Sequence, residues 1–250
     1  MSGMERWQGR IAMVTGASSG IGAATARALA EAGLRVIACG RRMERLESLA
    51  SEDTKGEIIP QAIDLRDMDA IPALFDEVRE RWGGVDVLVN NAGLGHDAPL
   101  LTGSTAHWKE MLDVNVMALC VCTREAVADM RRRGDDGHVI HISSMAGHRV
   151  PAGSGMYSAS KFAVRALTEG LRQELRHAGS RVRVTAVSPG FVETEFAAHF
   201  HQSEEKAAAT YGRFPCLQPE DAASAVLYAL SRPAHMAVHD VLMRPTEQML

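Results

Sequence analysis

Residues 11–22 read Ile11-Ala-Met-Val-Thr-Gly-Ala-Ser-Ser-Gly-Ile-Gly22, and this stretch decides the fold. The apolar run from Ile11 to Val14 predicts a buried strand, and the alanine-rich residues 23–31, followed by Gly33, predict a helix. Glycines between a strand and a helix permit a tight turn and let the backbone approach a phosphate group at the helix N-terminus. The spacing departs from the general Gly-x-Gly-x-x-Gly dinucleotide pattern, so a purely structural turn is the alternative.

Strands and helices alternate along the rest of the chain. Further strands are predicted at 34–39, 57–63, 85–89, 138–142, 182–187 and near 238–242, and helices at 43–50, 67–82, 105–133, 157–177, 195–200 and 219–230. Strands that alternate with helices indicate a parallel sheet with right-handed crossovers. No repeat, linker or change of composition divides the chain. We therefore predict an α/β protein: one Rossmann domain over residues 1–250, with a doubly wound parallel sheet of about seven strands flanked by helices.

Composition excludes several classes of protein. A formal net charge of -4 over 250 residues gives no sign of nucleic-acid binding. The four cysteines, Cys39, Cys120, Cys122 and Cys216, lack the spacing of metal ligands, so we expect no metal site and free thiols in a reducing compartment. The N-terminus has no apolar signal segment, and no window resembles a transmembrane helix. We predict a soluble, cytoplasmic protein.

Two arginines indicate which dinucleotide the glycine turn would hold. About twenty residues after such a turn, a site that prefers NAD usually places a carboxylate against the ribose 2′-hydroxyl. Here Arg41 and Arg42 follow the second predicted strand. Guanidinium groups match a 2′-phosphate, which a carboxylate would repel. We therefore predict NADP(H); the alternative is that both arginines only cap the helix at 43–50.

Other strand ends are expected to border the same ligand, because ligands bind beyond the carboxyl ends of the strands in such sheets. Asp64 and Leu65 follow the third predicted strand and would border an adenine. Asn91, Ala92 and Gly93 follow the fourth strand. After the sixth strand, Gly190 permits a sharp turn, and the Val192 backbone and Thr194 hydroxyl are able to fix a carboxamide. Alternatively, residues 188–194 form only a loop that enters the next helix.

The catalytic candidates are centred on Tyr157 and Lys161, four residues apart and so on one face of a helix. A cation beside a phenol lowers the phenol's pKa, and we expect a partly desolvated ammonium and a bound nicotinamide together to supply a shift of about three units, which corresponds to roughly 4 kcal/mol. Tyr157 would then act as a general acid or base near neutral pH. Ser144 follows the fifth strand, and Asn115 lies midway along the predicted helix 105–133, where a water is expected to link it to Lys161. The alternatives are a tyrosine ring packed under a lysine stem and a structurally hydrogen-bonded amide.

Taken together and in this order, the glycine turn, Asn90-Asn-Ala-Gly93, Ser144, Tyr157-x-x-x-Lys161 and Pro189-Gly190 resemble the short-chain dehydrogenase/reductase family over essentially the whole chain. The resemblance implies a catalytic tetrad of Asn115, Ser144, Tyr157 and Lys161. The cofactor-binding set expected from the residues and the resemblance is Gly16, Ser18, Ser19, Gly20, Ile21, Gly22, Arg41, Arg42, Asp64, Leu65, Asn91, Ala92, Gly93, Tyr157, Lys161, Pro189, Gly190, Val192 and Thr194.

The resemblance also implies a small-molecule alcohol or carbonyl substrate and a homodimer or homotetramer. Segments such as Gly147-His-Arg-Val150 and Met243-Arg-Pro-Thr-Glu-Gln248 resemble a branch of the family that acts on ketosteroids and farnesol. Residues 195–215, named here the lid segment, would close on the substrate or form only a surface helix pair. Two other functions stay open. A 3-hydroxy acid or serine dehydrogenase would need an unpaired arginine, for which Arg149 and Arg213 are candidates, and a non-catalytic NADP(H) sensor would need no turnover.

Overall fold

The computed structural model describes residues 3–249 and contains one seven-stranded sheet of order β3-β2-β1-β4-β5-β6-β7. All neighbouring strands are parallel. The strands are β1 Ile11–Thr15, β2 Arg35–Gly40, β3 Glu57–Ala62, β4 Val87–Asn90, β5 His138–Ile142, β6 Arg183–Pro189 and β7 Asp240–Met243. The chain reverses its direction across the sheet between β1 and β4, which opens a crevice at their carboxyl ends. The predicted doubly wound Rossmann sheet is confirmed.

Helices cover both faces of this sheet. They are α1 Gly20–Glu31, α2 Met43–Ala50, α3 Ala70–Trp82, α4 Thr105–Leu112, α5 Leu119–Arg132, α6 Gly155–His177, α7 Phe196–His201, α8 Glu204–Tyr211 and α9 Pro219–Ser231. Alternate residues of β1 point to opposite faces, so Val14 packs with α1 and α9, whereas Met13 packs with α3 and α5. Within residues 3–249, none of the helices has the length and apolar character needed to cross a bilayer.

The predicted helix 105–133 is interrupted at Asn115. Residues Asp113–Ala118 form a π-helical turn between α4 and α5. Such turns break the 3.6-residue repeat locally and often occur at functional sites. The hydrophobic pattern continues through the turn, so periodicity alone predicts one uninterrupted helix. Smaller differences occur at element ends: α3 begins at Ala70, α6 at Gly155 and β7 at Asp240, and the lid segment contains two short helices, α7 and α8.

Candidate active site

Tyr157 and Lys161 lie in the first turns of α6, at the carboxyl edge of the sheet. The Lys161 side chain is buried, and its Nζ donates a hydrogen bond of 2.9 Å to the carbonyl of Ile142, the last residue of β5. The same Nζ lies 5.9 Å from the centroid of the Tyr157 ring. The strand end thus fixes the ammonium beside the phenol ring, on the helix face that the four-residue spacing predicts.

The pKa values of this pair differ from the sequence-based expectation. Burial raises the pKa of Tyr157 to about 12, although the neighbouring Ser144 hydroxyl acts in the opposite direction. Burial also lowers the pKa of Lys161 to about 8. Desolvation disfavours the charged form of each group, so it raises the pKa of the phenol and lowers that of the amine. The predicted lowering of the Tyr157 pKa relies on the ammonium and a bound nicotinamide acting together, and in the polypeptide by itself burial acts in the opposite direction.

Ser144 reaches the site because β5 ends two residues before it. Its Oγ accepts a 3.1 Å hydrogen bond from the amide of Ala146 and caps a short 3₁₀ turn, Met145–Gly147. Since the backbone amide uses only an acceptor position, the Ser144 hydroxyl proton remains able to donate. The adjacent Ser143 is buried and points toward the α6 backbone instead.

Asn115 is held by the main chain of the loop after β4. Its Oδ1 accepts from the Leu94 amide, and its Nδ2 donates to the Leu94 carbonyl, both at 2.8 Å. Nδ2 also donates to Ser160 Oγ at 3.0 Å, and that hydroxyl donates to the Tyr157 carbonyl at 2.7 Å. Both hydrogens of the amide nitrogen are thus used, so the expected water link to Lys161 would have to use an acceptor oxygen of Asn115. Neither Leu94 nor Ser160 was predicted from the sequence, in which Ser160 is marked just by its position directly before Lys161.

The glycine turn between β1 and α1 packs against the loop after β4. Asn91 Nδ2 donates to the Thr15 carbonyl at 2.9 Å and to the Gly16 carbonyl at 3.2 Å, and the Ala92 amide donates to Thr15 Oγ1. A Cβ on Gly22 would lie 2.2 Å from the Gly16 carbonyl oxygen, so no side chain fits there. The predicted residues Asn91 and Ala92 therefore shape the turn, and Gly93 lies between Asn115 and Lys161.

Arg42 points at the glycine turn, whereas Arg41 is exposed. The Arg42 guanidinium donates to Ser19 Oγ at 2.7 Å and to Ser18 Oγ at 3.2 Å. It makes no side-chain cap of α2, although Arg42 is the residue at the helix N-cap. The helix-capping alternative is thus wrong for Arg42. A guanidinium and two hydroxyls converge here, which is a donor set suited to an oxyanion.

Glu195 completes this cluster and was not a candidate in the sequence analysis. Its Oε2 accepts from Arg42 Nη1 at 2.9 Å, and its Oε1 accepts from Arg45 Nη1 at 2.5 Å. These guanidinium groups lower the pKa of Glu195. An acidic residue facing two arginines across more than a hundred residues leaves no local signal in the sequence.

The remaining predicted cofactor residues lie along the same edge of the sheet. Asp64 is paired with Arg66, with Nη2 to Oδ2 at 2.5 Å, and this pairing lowers the pKa of Asp64. Leu65 is buried beside it. The Gly190 amide, after Pro189 at the end of β6, donates to the Met243 carbonyl. Val192 is buried, and a Cβ on Gly20 would lie 3.0 Å from the Thr194 methyl group, so the loop 190–194 covers the glycine turn, where Ile21 is partly buried.

Aromatic rings of the lid segment cover Tyr157. The ring centroids of Phe196 and Phe200 lie 5.2 Å and 6.4 Å from that of Tyr157. The helix α7 that carries them is docked by the Phe200 carbonyl, which accepts from the Asp97 amide, and by His199 Nδ1, which lies 3.2 Å from the Gly95 carbonyl. The Tyr157 ring is therefore flanked by apolar rings on the side of the lid segment.

Comparison with known proteins agrees with this geometry. A family model described as short chain dehydrogenase matches residues 10–205. The chain is 55% identical to Dehydrogenase/reductase SDR family member 11 of Bos taurus, over 98% of this chain and 99% of that protein. It is 43% identical to Farnesol dehydrogenase of Aedes aegypti, over 97% and 98% of the two chains.

A solved structure gives the same result for the fold. The closed form of serine dehydrogenase complexed with NADP+ superposes with a TM-score of 0.90 at 36% identity and covers 96% of each chain. The protein therefore belongs to the short chain dehydrogenase family and is an oxidoreductase of that family.

Proposed function

We propose that the protein is an NADP(H)-dependent oxidoreductase that interconverts a secondary alcohol and a ketone or aldehyde. The observation that carries the proposal is the convergence of Tyr157, Ser144 and Lys161 at the sheet edge that also holds the glycine turn and Arg42. The serine dehydrogenase with a similar structure was solved with NADP+, which supports the choice of cofactor.

The residues present fit this cofactor, because guanidinium and hydroxyl donors converge at the glycine turn. Arg42, together with Arg41, would hold the 2′-phosphate, and the glycine turn the pyrophosphate. Asp64, Leu65 and Asn91–Gly93 would border the adenine and its ribose, Lys161 and Tyr157 the nicotinamide ribose, and the loop 189–194 the carboxamide. When bound, NADPH supplies the hydride and NADP+ accepts it.

The side chains supply the proton and position the carbonyl. The Ser144 hydroxyl donates a hydrogen bond to the substrate oxygen, and Tyr157 transfers its phenolic proton to that oxygen as negative charge develops. Tyr157 carries the proton that reduction consumes, and the adjacent ammonium makes the phenol a stronger acid than burial alone would leave it. The Lys161 ammonium stabilises the phenolate that remains, and the Leu94–Asn115–Ser160 contacts hold the first turn of α6 in position.

The substrate we propose is a lipophilic carbonyl compound, such as a ketosteroid or an isoprenoid. Phe196 and Phe200 place apolar surface beside Tyr157. The printed name of the Aedes aegypti relative, which contains farnesol, agrees with this chemistry. The lid segment 195–215 would close over such a substrate.

A 3-hydroxy acid or serine dehydrogenase is the second candidate, because of the structural likeness to serine dehydrogenase. A carboxylate substrate would need a cation in the cleft. Arg213 stacks 5.5 Å over the ring of Phe191, which follows Gly190, and so lies at the edge of the loop 190–194. Activity on 3-hydroxy acids that falls in Arg213→Gln would favour this second function.

The test is NADPH oxidation, followed by absorbance, against ketosteroids, isoprenoid aldehydes, quinones and keto acids, with NADH as the control. Tyr157→Phe should lose at least a hundredfold in kcat and keep its NADPH affinity, since the phenol proton is removed and the ring is kept. A Tyr157→Phe variant with more than about a tenth of wild-type activity would refute the assigned role. Tight NADPH binding without turnover of any compound would indicate the non-catalytic sensor.

We also propose a homodimer or homotetramer that assembles through the helices 105–132 and 155–177. Met117 and Phe162 on these helices are 50% and 39% exposed, and Leu112 is 38% exposed. A second copy of the chain would cover these apolar side chains. Light scattering of the wild type and of Met117→Glu with Phe162→Glu should show an oligomer that the double substitution dissociates.

A further inference from the structure

The cluster of Arg42, Arg45 and Glu195 joins the glycine turn to the lid segment. Glu195 directly precedes α7, and both of its carboxylate oxygens are bound, one by each guanidinium. Arg42 at the same time donates to the hydroxyls of Ser18 and Ser19. One carboxylate therefore occupies part of the donor set that, under the proposed function, would hold a 2′-phosphate.

A carboxylate and a phosphate monoester use the same guanidinium donors, so the two anions exclude each other. A phosphate that entered beside Glu195 would also meet a like charge at short range. The backbone before Glu195 lies against the glycine turn, because a Cβ on Gly20 would be 3.0 Å from the Thr194 methyl group, so the carboxylate leaves the arginines by side-chain rotation when a phosphate enters.

The Glu195 contacts are of the kind that a ligand can displace. The side chains of Arg42, Arg45 and Glu195 are 41%, 48% and 53% exposed. Ion pairs this exposed contribute little to stability, whereas a phosphate carries more charge and three acceptor oxygens. We therefore expect a phosphate to displace the Glu195 carboxylate from the two arginines at a moderate cost in free energy.

We propose that Glu195 is an internal competitor for the 2′-phosphate site and so sets the preference for 2′-phosphorylated over unphosphorylated nucleotides. This inference rests on the proposed use of NADP(H). Glu195 lowers the affinity for NADP(H) and leaves the affinity for NAD(H), which presents no phosphate to these arginines, nearly unchanged. It is a specificity-determining residue that touches neither the substrate carbonyl nor Tyr157.

The experiment is calorimetric binding of 2′,5′-ADP and 5′-AMP to the full-length wild type and to Glu195→Gln. The variant should bind 2′,5′-ADP about tenfold more tightly, which corresponds to about 1.4 kcal/mol. Its affinity for 5′-AMP should stay within about twofold. Glu193→Gln is the matched control, because it removes the same charge two residues away from a carboxylate that Gln218 holds. It should change neither affinity, and a general loss of structure would weaken both ligands alike.

Arg42→Ala separates the failure of this inference from the failure of the proposed function. If Arg42→Ala weakens 2′,5′-ADP selectively but Glu195→Gln binds it no more tightly than the wild type, competition by Glu195 is wrong and the 2′-phosphate site stands. If the wild type, Glu195→Gln and Arg42→Ala all bind 2′,5′-ADP no better than 5′-AMP, both the preference for NADP(H) and the competition by Glu195 are wrong.

Discussion

Gly95→Ala should displace the aromatic rings of Phe196 and Phe200 and press on the ring of Tyr157, while the glycine turn and Arg42 stay unchanged. Gly95 is buried under the lid segment. A Cβ at this position would lie 2.7 Å from Phe200 Cδ2, 2.9 Å from Phe196 Cζ and 3.2 Å from Tyr157 Cδ2. Carbon atoms pack favourably at about 3.5–4.0 Å, so three rings must move to admit one methyl group.

The expected size of the effect follows from the cost of overpacking. Inserting a methyl group into a well-packed region costs about 1–3 kcal/mol. If the cost falls on the docked position of α7, about 2 kcal/mol corresponds to a loss of roughly thirtyfold in kcat/KM for a lipophilic ketone. Rotation of Phe200 should relieve part of the strain, and at the lower end of the range, about 1 kcal/mol, the loss in kcat/KM is about fivefold.

The assay is steady-state NADPH oxidation with a ketosteroid, together with NADPH affinity measured by fluorescence. Gly95→Ala should keep its NADPH affinity within about twofold. Adding Phe200→Leu should restore part of the lost kcat/KM, because the smaller side chain vacates the space that the methyl group needs. A Gly95→Ala enzyme with wild-type kcat/KM would show that these rings do not form a wall of the substrate cleft.

Three further predictions concern charged groups in the core. Lys161→Met should abolish activity yet stabilise the protein at pH 7 by about 1–2 kcal/mol, because burial lowers the lysine pKa to about 8 and the folded state loses stability by keeping the ammonium. Urea denaturation should show wild-type stability rising from pH 8 to 10.5, and a Lys161→Met protein with the same rise would contradict this. His141, with a pKa lowered to about 3 by burial, should make unfolding easier as pH falls from 6.5 toward 3, by at most about 1.4 kcal/mol per pH unit. His141→Gln should flatten that acid slope, and an unchanged slope would assign it to other groups. Asp129→Ala should cost about 3 kcal/mol, because the buried carboxylate accepts from Arg79 Nε at 2.6 Å and from the Val85 amide at 3.1 Å. A change below about 1 kcal/mol in urea denaturation would mean that Arg79 finds enough support elsewhere.

The fold was predictable because each strand and most helices carry a local signal. Apolar runs such as residues 138–142 and the glycine turn after Val14 define a strand or a turn without reference to the rest of the chain. The π turn at Asn115 was not predictable, because its cause is a pair of hydrogen bonds to Leu94, twenty-one positions away. A tertiary contact of this kind does not change the hydrophobic periodicity of the sequence, so periodicity cannot reveal it.

The sequence predicts which residues lie close together at the candidate site, but it does not predict the direction in which their pKa values shift. Strand ends in a parallel sheet meet at one edge, which brings Ser144, Tyr157 and Arg42 to the same crevice once the order of elements is known. The direction of the Tyr157 pKa shift depends on how deeply the lid segment and Ser144 bury the phenol, and burial is a property of the folded chain. Glu195 was missed for the same reason: its guanidinium partners belong to Arg42, the N-cap residue of α2, and Arg45 within α2, which lie 153 and 150 positions earlier in the chain.

The cost of burying Lys161 indicates what its ammonium is for. In residues 3–249 its one hydrogen-bond acceptor is the Ile142 carbonyl, and no carboxylate pairs with it. An ammonium has three donors, so two remain for groups outside the polypeptide. If Lys161 served only to fill space, the protein would be more stable with methionine at this position, because methionine fills a similar volume without a desolvation penalty. Two unused donors beside a protonated phenol are better explained by a ligand with hydroxyl acceptors, such as a ribose, than by any role in the fold.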